Sequence, residues 1–67
     1  MTITPREAQV LTLIWNGFET PAMAKALKIS PRTVETHRGN LYRKLKVKNV
    51  AGLLRTALDN KLIKETA

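Results

Sequence analysis

The sequence points to an all-α fold, a compact bundle of four short helices, on three grounds. Ser or Thr stands directly before proline at 4–5, 20–21 and 30–31. Such a residue caps a helix by accepting from a free backbone N–H. A proline at the next position loses nothing there, because that N–H is unpaired in any helix. Between these starts the apolar residues recur at three- and four-residue spacing, the period of a helix with one buried face. No stretch alternates apolar and polar residues with a period of two, so no strand is expected.

The first helix is predicted over 5–16. Thr4 and Glu7 form a capping box. Val10, Leu11, Ile14 and Phe18 follow helical spacing, Leu13 and Trp15 widen the stripe, and Gly17 is the expected stop. The second helix is short, 21–27, with Thr20 as its N-cap and Met23, Ala24 and Leu27 facing inward. The third runs 31–45 behind Ser30. The fourth covers about 50–60, with Asn49 as N-cap and Val50, Leu53, Leu54, Ala57 and Leu58 as its apolar residues. The sequence reads as a single domain, 1–67.

The chain has 67 residues, so its core is small. With no cysteine and a single histidine, His37, it lacks the makings of a disulfide staple or a zinc site. No cofactor is expected. It carries no paired carboxylates, no nucleophile beside a base and no glycine-rich phosphate loop, so an enzyme is not expected. No apolar run is long enough to span a membrane, and no signal peptide is read in residues 1–18. The expected location is cytoplasmic.

Charge points to a partner. Twelve Lys and Arg against five Asp and Glu give +7. Lys25, Lys28, Arg32, Arg38, Arg43, Lys44, Lys46 and Lys48 crowd one segment, and Glu35 is the only acid among them. A clustered basic stripe on a small domain is the electrostatic footprint of nucleic-acid binding.

The second and third helices are separated by about three residues, which forces a steep crossing with a small residue, Ala24, at the contact. Met23, Leu27, Ile29 and Val34 fall where a helix-turn-helix buries its apolar residues. Two positions depart from the usual pattern. Lys28 occupies the turn where glycine is common, and His37 takes the last apolar position, at the edge of the core. On a wheel of about 100° per residue, Val34, Leu41 and Leu45 share the buried side of the third helix. Arg32, Glu35, Thr36, Gly39 and Arg43 lie opposite. Thr33, Asn40 and Lys44 flank one edge and Tyr42 the other. Short polar residues between basic ends suit a major groove walled by phosphates.

These residues resemble a known family. "ITPREAQVLTLIWNG" and "SPRTVETHRGNLYRKLKVKN" match the opening box and the recognition helix of the LuxR-type, or GerE-like, helix-turn-helix of the NarL/FixJ response regulators and quorum-sensing regulators. The resemblance covers about residues 2–63. It implies sequence-specific binding of double-stranded DNA by a transcriptional regulator or its C-terminal effector domain. It places the third helix in the major groove and a homodimer on the fourth. The family's base-reading positions fall on Glu35, Thr36 and Gly39. Those near the DNA backbone fall on Thr20, Thr33, Asn40, Arg43 and Lys44, which the wheel extends to Arg32. Thr20 has a reason of its own, since a helix N-terminus attracts an anion. Arg38 lies nearer the buried side, with a stem long enough to reach outward.

Gly39 stands where many relatives carry a longer polar side chain, and Gly52 where many have a Glu that completes a capping box. On the fourth helix, one of two stripes (Leu53 and Ala57, or Leu54 and Leu58) is expected to pack inward. The other, with Val50 or Ala51, forms the dimer seam; the assignment adopted is Val50, Ala51, Leu54 and Leu58. A contact with RNA polymerase and residence on the nucleoid belong to the same reading. The alternative is a basic helical module that docks on polymerase or another regulator. A membrane-surface reading fails for want of a Trp or Phe on the outer face of the third helix.

Overall fold

Each predicted start becomes a helix. In the computed structural model, which describes residues 3–63, α1 spans Pro5–Trp15, α2 Thr20–Leu27, α3 Pro31–Leu45 and α4 Val50–Asp59, with no strand among the described residues. Expected and observed ends differ by at most one residue. Residues 1–2 and 64–67 of the expected 1–67 domain lie outside the described residues.

The caps show why these boundaries hold. At α1 the Thr4 hydroxyl accepts from the Glu7 amide at 3.1 Å, and a Glu7 carboxylate oxygen accepts from the Thr4 amide at 2.9 Å, the reciprocal pair of a capping box. Ser30 accepts from the Thr33 amide at 3.1 Å, and Asn49 from the Gly52 amide at 2.8 Å. Thr20 behaves differently. It is already helical, and Glu19 is the N-cap, with no side-chain cap bond. The expectation that Thr20 caps α2 is therefore corrected by one position, because its hydroxyl has a tertiary partner described below.

Gly17 takes φ +85°, and its N–H and that of Phe18 return to Ile14 and Leu13 to close α1. That turn removes Phe18 from the helical stripe to which its spacing assigned it: Phe18 is 40% exposed. The wheel fails there because the helix has ended before the residue it was meant to carry. The left-handed ends of α2 and α3 fall on Lys28, φ 58°, and Lys46, φ 56°, where a Cβ makes the conformation costly.

α3 lies against all three other helices, so the core gathers on its inner side. Val10, Leu11, Met23, Val34, Leu41, Leu53 and Ala57 are fully enclosed. Ala24 is buried at the α2–α3 crossing, as expected of the small residue there. Leu27, Ile29, Trp15 and His37 are half-buried. Leu53 and Ala57 prove to be the inward stripe of α4, and Leu54 and Leu58 are half-buried at its edge.

Candidate nucleic-acid interface

The exposed face of α3 carries the residues that the wheel placed there. Arg32, Thr33, Glu35, Thr36, Gly39, Arg43 and Lys44 are exposed, and Asn40 is half-buried. Nothing lies within 4 Å of where a Cβ on Gly39 would sit, so the middle of this face is open backbone. The helix packs through Val34, Leu41 and Leu45, and the same periodicity turns the polar set outward.

The polar side chains are already ordered by one another. The Thr36 hydroxyl donates to the Arg32 carbonyl at 3.1 Å, which leaves its oxygen lone pairs free to accept. The Arg43 guanidinium donates to the Asn40 side-chain carbonyl. The hydroxyls of Ser30 and Thr33 meet at 2.9 Å. Arg38 is half-buried, as its place on the wheel implied. Its guanidinium donates to the Tyr42 hydroxyl at 3.3 Å and lies 5.7 Å from the centre of that ring.

Two residues expected to meet DNA backbone have partners on another helix that sequence reasoning missed. The Lys44 ammonium donates to the Glu7 carboxylate at 2.7 Å, the single ion pair among the described residues. Its two side chains are 37% and 3% exposed, so one end faces water and the other is enclosed. Burial pushes the Glu7 carboxyl up. The Lys44 hydrogen bond, the Thr4 amide and the Lys44 charge outweigh that, and hold it below its ordinary value. Glu7 thus joins the start of α1 to the end of α3. The second pair crosses the helix-turn-helix: the Thr20 hydroxyl donates to a Glu35 carboxylate oxygen. These contacts span 37 and 15 residues of chain. The capping box announced Glu7 as an acceptor, but no local pattern carried either partner.

At the start of α2 the Glu19 side chain makes no cap bond, and Pro21 has no N–H. The remaining first-turn amides have no capping side chain, the condition under which a helix end attracts an anion.

On α4, Val50 and Ala51 are exposed beside the half-buried Leu54 and Leu58. No helix among the described residues is long and apolar enough to cross a membrane, and no cluster of potential metal ligands occurs among them.

A basic four-helix domain, with a short helix set tightly against a longer one whose outer face is polar, has the build of a helix-turn-helix regulator domain. Sequence comparison agrees. The profile described as bacterial regulatory proteins of the luxR family, GerE, matches residues 1–57, and the chain belongs to that family. Over 61 residues it is 44% identical to the transcriptional regulatory protein MctR of Rhizobium johnstonii, covering 91% of this chain and 28% of that protein. Over 57 residues it is 46% identical to the transcriptional regulatory protein FixJ of Rhizobium meliloti, covering 85% and 28%. Among solved structures it superposes with a TM-score of 0.89 on the response regulator ChrA of a heme-sensing two-component system, at 32% identity, over 94% of this chain and 31% of that one. The chain thus spans less than a third of the length of each of these relatives.

Proposed function

We propose that this domain binds double-stranded DNA sequence-specifically, as the effector part of a transcriptional regulator, with α3 in the major groove. One observation carries the reading: the face of α3 opposite its core contacts is exposed, short and polar, with Gly39 open at its centre. A major groove admits a helix, and side chains of this kind reach base edges there.

Glu35 and Thr36 read bases. A Glu35 carboxylate oxygen accepts from cytosine N4, and the Thr36 hydroxyl oxygen, its proton given to Arg32, accepts from a base amine. Gly39 lets the backbone approach. Arg32, Thr33, Asn40 and Arg43 hold phosphates on either side, and the amides that begin α2 hold another. Lys44 contributes charge to the same wall while its ammonium stays bonded to Glu7. Two copies join through Val50, Ala51, Leu54 and Leu58 and read half-sites about one helical turn apart. RNA polymerase is a further partner for the DNA-bound regulator, which acts on the nucleoid in the cytoplasm.

The test is a binding titration with a duplex selected from random sequence, against a scrambled duplex of equal length. Affinity should fall by about 0.9 log unit per log unit of salt for each phosphate held. The scrambled duplex should bind far more weakly. Arg43→Ala should weaken both duplexes alike, whereas Thr36→Ala should narrow the gap between them. Equal affinity for both duplexes and a flat salt response would contradict the proposal.

A further inference from the structure

Glu35 is an isolated carboxylate in a basic segment, and the structure shows what holds it. Thr20, in the first turn of α2, donates its hydroxyl proton to Glu35 Oε2 on α3. A carboxylate has two oxygens and accepts through both. Among the described residues the other, Oε1, has no hydrogen-bond or ion-pair partner. Glu35 is exposed, so without this bond its side chain would turn freely about three torsions. With it, one oxygen is tied to the neighbouring helix and the second is left without a partner on an exposed side chain that lines the same stretch of surface as Gly39.

We infer that Thr20 is a specificity-determining positioning residue: it orients Glu35 so that Oε1 meets one base of the bound duplex. This rests on the proposed reading of DNA by α3, and it changes the part given to Thr20. A threonine at a helix start has the placement of a phosphate contact, and the sequence alone supports that role. Its hydroxyl proton, however, is already spent on Glu35. The phosphate is left to the uncapped amides of the same turn. Thr20 then acts on sequence choice through another residue while touching no base itself. The arrangement also accounts for an acid in this place. A carboxylate held by a neutral hydroxyl keeps its negative charge, and so favours a donor amine and repels bases that present acceptors alone. Had Arg38, three residues on, been its partner, that charge would be neutralised; Arg38 is instead turned to Tyr42.

The experiment is selection of bound sequences from a random duplex pool by the wild-type protein, Thr20→Val, Thr20→Ser, Glu35→Ala and the double variant Thr20→Val/Glu35→Ala. Valine keeps the shape of threonine and removes the hydroxyl; serine keeps the hydroxyl. Base preference is a ratio among bound sequences, so a change in the folded fraction does not move it. Glu35→Ala should flatten preference at one base pair, by about fivefold or more. Thr20→Val should flatten the same base pair, Thr20→Ser should restore it, and the double variant should do no worse than Glu35→Ala. If Thr20→Val lowers affinity for every sequence alike and leaves that preference intact, Thr20 is a phosphate contact and the inference is overturned. It is overturned too if Glu35→Ala changes preference nowhere while the wild type still selects a sequence; DNA binding by α3 then stands, with Glu35 removed from its base-reading residues. If the wild type selects no sequence at all, the proposal falls and takes the inference with it.

Discussion

Replacing Lys44 with methionine keeps a side chain of similar length and removes its charge, which isolates the ion pair with Glu7. Removing one partner of a fully enclosed pair costs about 3–5 kcal/mol, while exposed pairs are worth about 0–1 kcal/mol. This pair is of mixed character: Glu7 is 3% exposed and Lys44 37%. Water therefore screens one end, and Glu7 retains the Thr4 amide as a donor. The loss should fall between the two limits, at about 1–2 kcal/mol. In a domain of this size each kcal/mol moves Tm by about 4–8 °C, so Lys44→Met should melt roughly 4–16 °C lower near neutral pH.

The pH dependence gives a second check. The folded Glu7 carboxyl lies below its ordinary value of 4.5. A carboxyl depressed on folding adds stability that is present above the unfolded pKa and is lost as pH falls through the folded one. In Lys44→Met, burial is opposed by Thr4 alone and the Glu7 carboxyl rises. The variant is then penalised at neutral pH and recovers as pH falls. The gap in Tm between wild type and variant should thus be widest near pH 7 and close as pH falls through and below the ordinary value of 4.5. Thermal melts followed by circular dichroism, without DNA, across that range are the assay. A drop smaller than about 2 °C at neutral pH, or a gap that does not change with pH, would mean that the Lys44–Glu7 pair does not stabilise the fold.

Three further outcomes follow from the same geometry. Gly39→Ala fills open space within a helix and should raise stability by about 1 kcal/mol; if the backbone at Gly39 approaches DNA, the same change lowers affinity for the selected duplex, so Tm and affinity move in opposite directions. Lys28→Gly, at φ 58°, relieves the left-handed strain that closes α2 and should raise Tm by a few degrees, about 0.5–1 kcal/mol, with a threonine at the same position lowering it. Ala51→Glu places charge on an exposed α4 position and should leave Tm within about 2 °C. It should abolish the gain in affinity that a duplex with two half-sites has over one with a single half-site, as measured by gel shift.

What could be read from the sequence was what local chemistry dictates. The Ser/Thr-Pro pairs fixed three helix starts to within a residue because capping needs only neighbours a few positions away. Val34, Leu41 and Leu45 identified the buried side of α3, and with it the outward set, because a helix wheel is a short-range rule. The same rule failed at Phe18, where Gly17 bends the chain out of the helix before the period reaches it. It was silent on Lys44 and Thr20. Both looked like free polar groups near a phosphate wall, and both are engaged by carboxylates 37 and 15 residues away in sequence. A tertiary hydrogen bond leaves no periodic trace. Glu7 showed a capping role and Glu35 an outward one, and neither position announced the helix that would meet it. Resemblance to the family supplied the functional reading, and the structure supplied which side chains are already spoken for.

Whether α3 is the surface that meets DNA is open to amide chemical-shift mapping, since the chain is only 7.5 kDa. Isotope-labelled protein would be titrated with the selected duplex. The largest shifts are expected at Thr33, Glu35, Thr36, Gly39, Asn40 and Arg43, with a second group at Thr20 and Ala22 where α2 begins. Shifts gathered on the surface between α1 and α2, around Ala8, Thr12 and Leu27, with α3 undisturbed, would contradict DNA binding through α3.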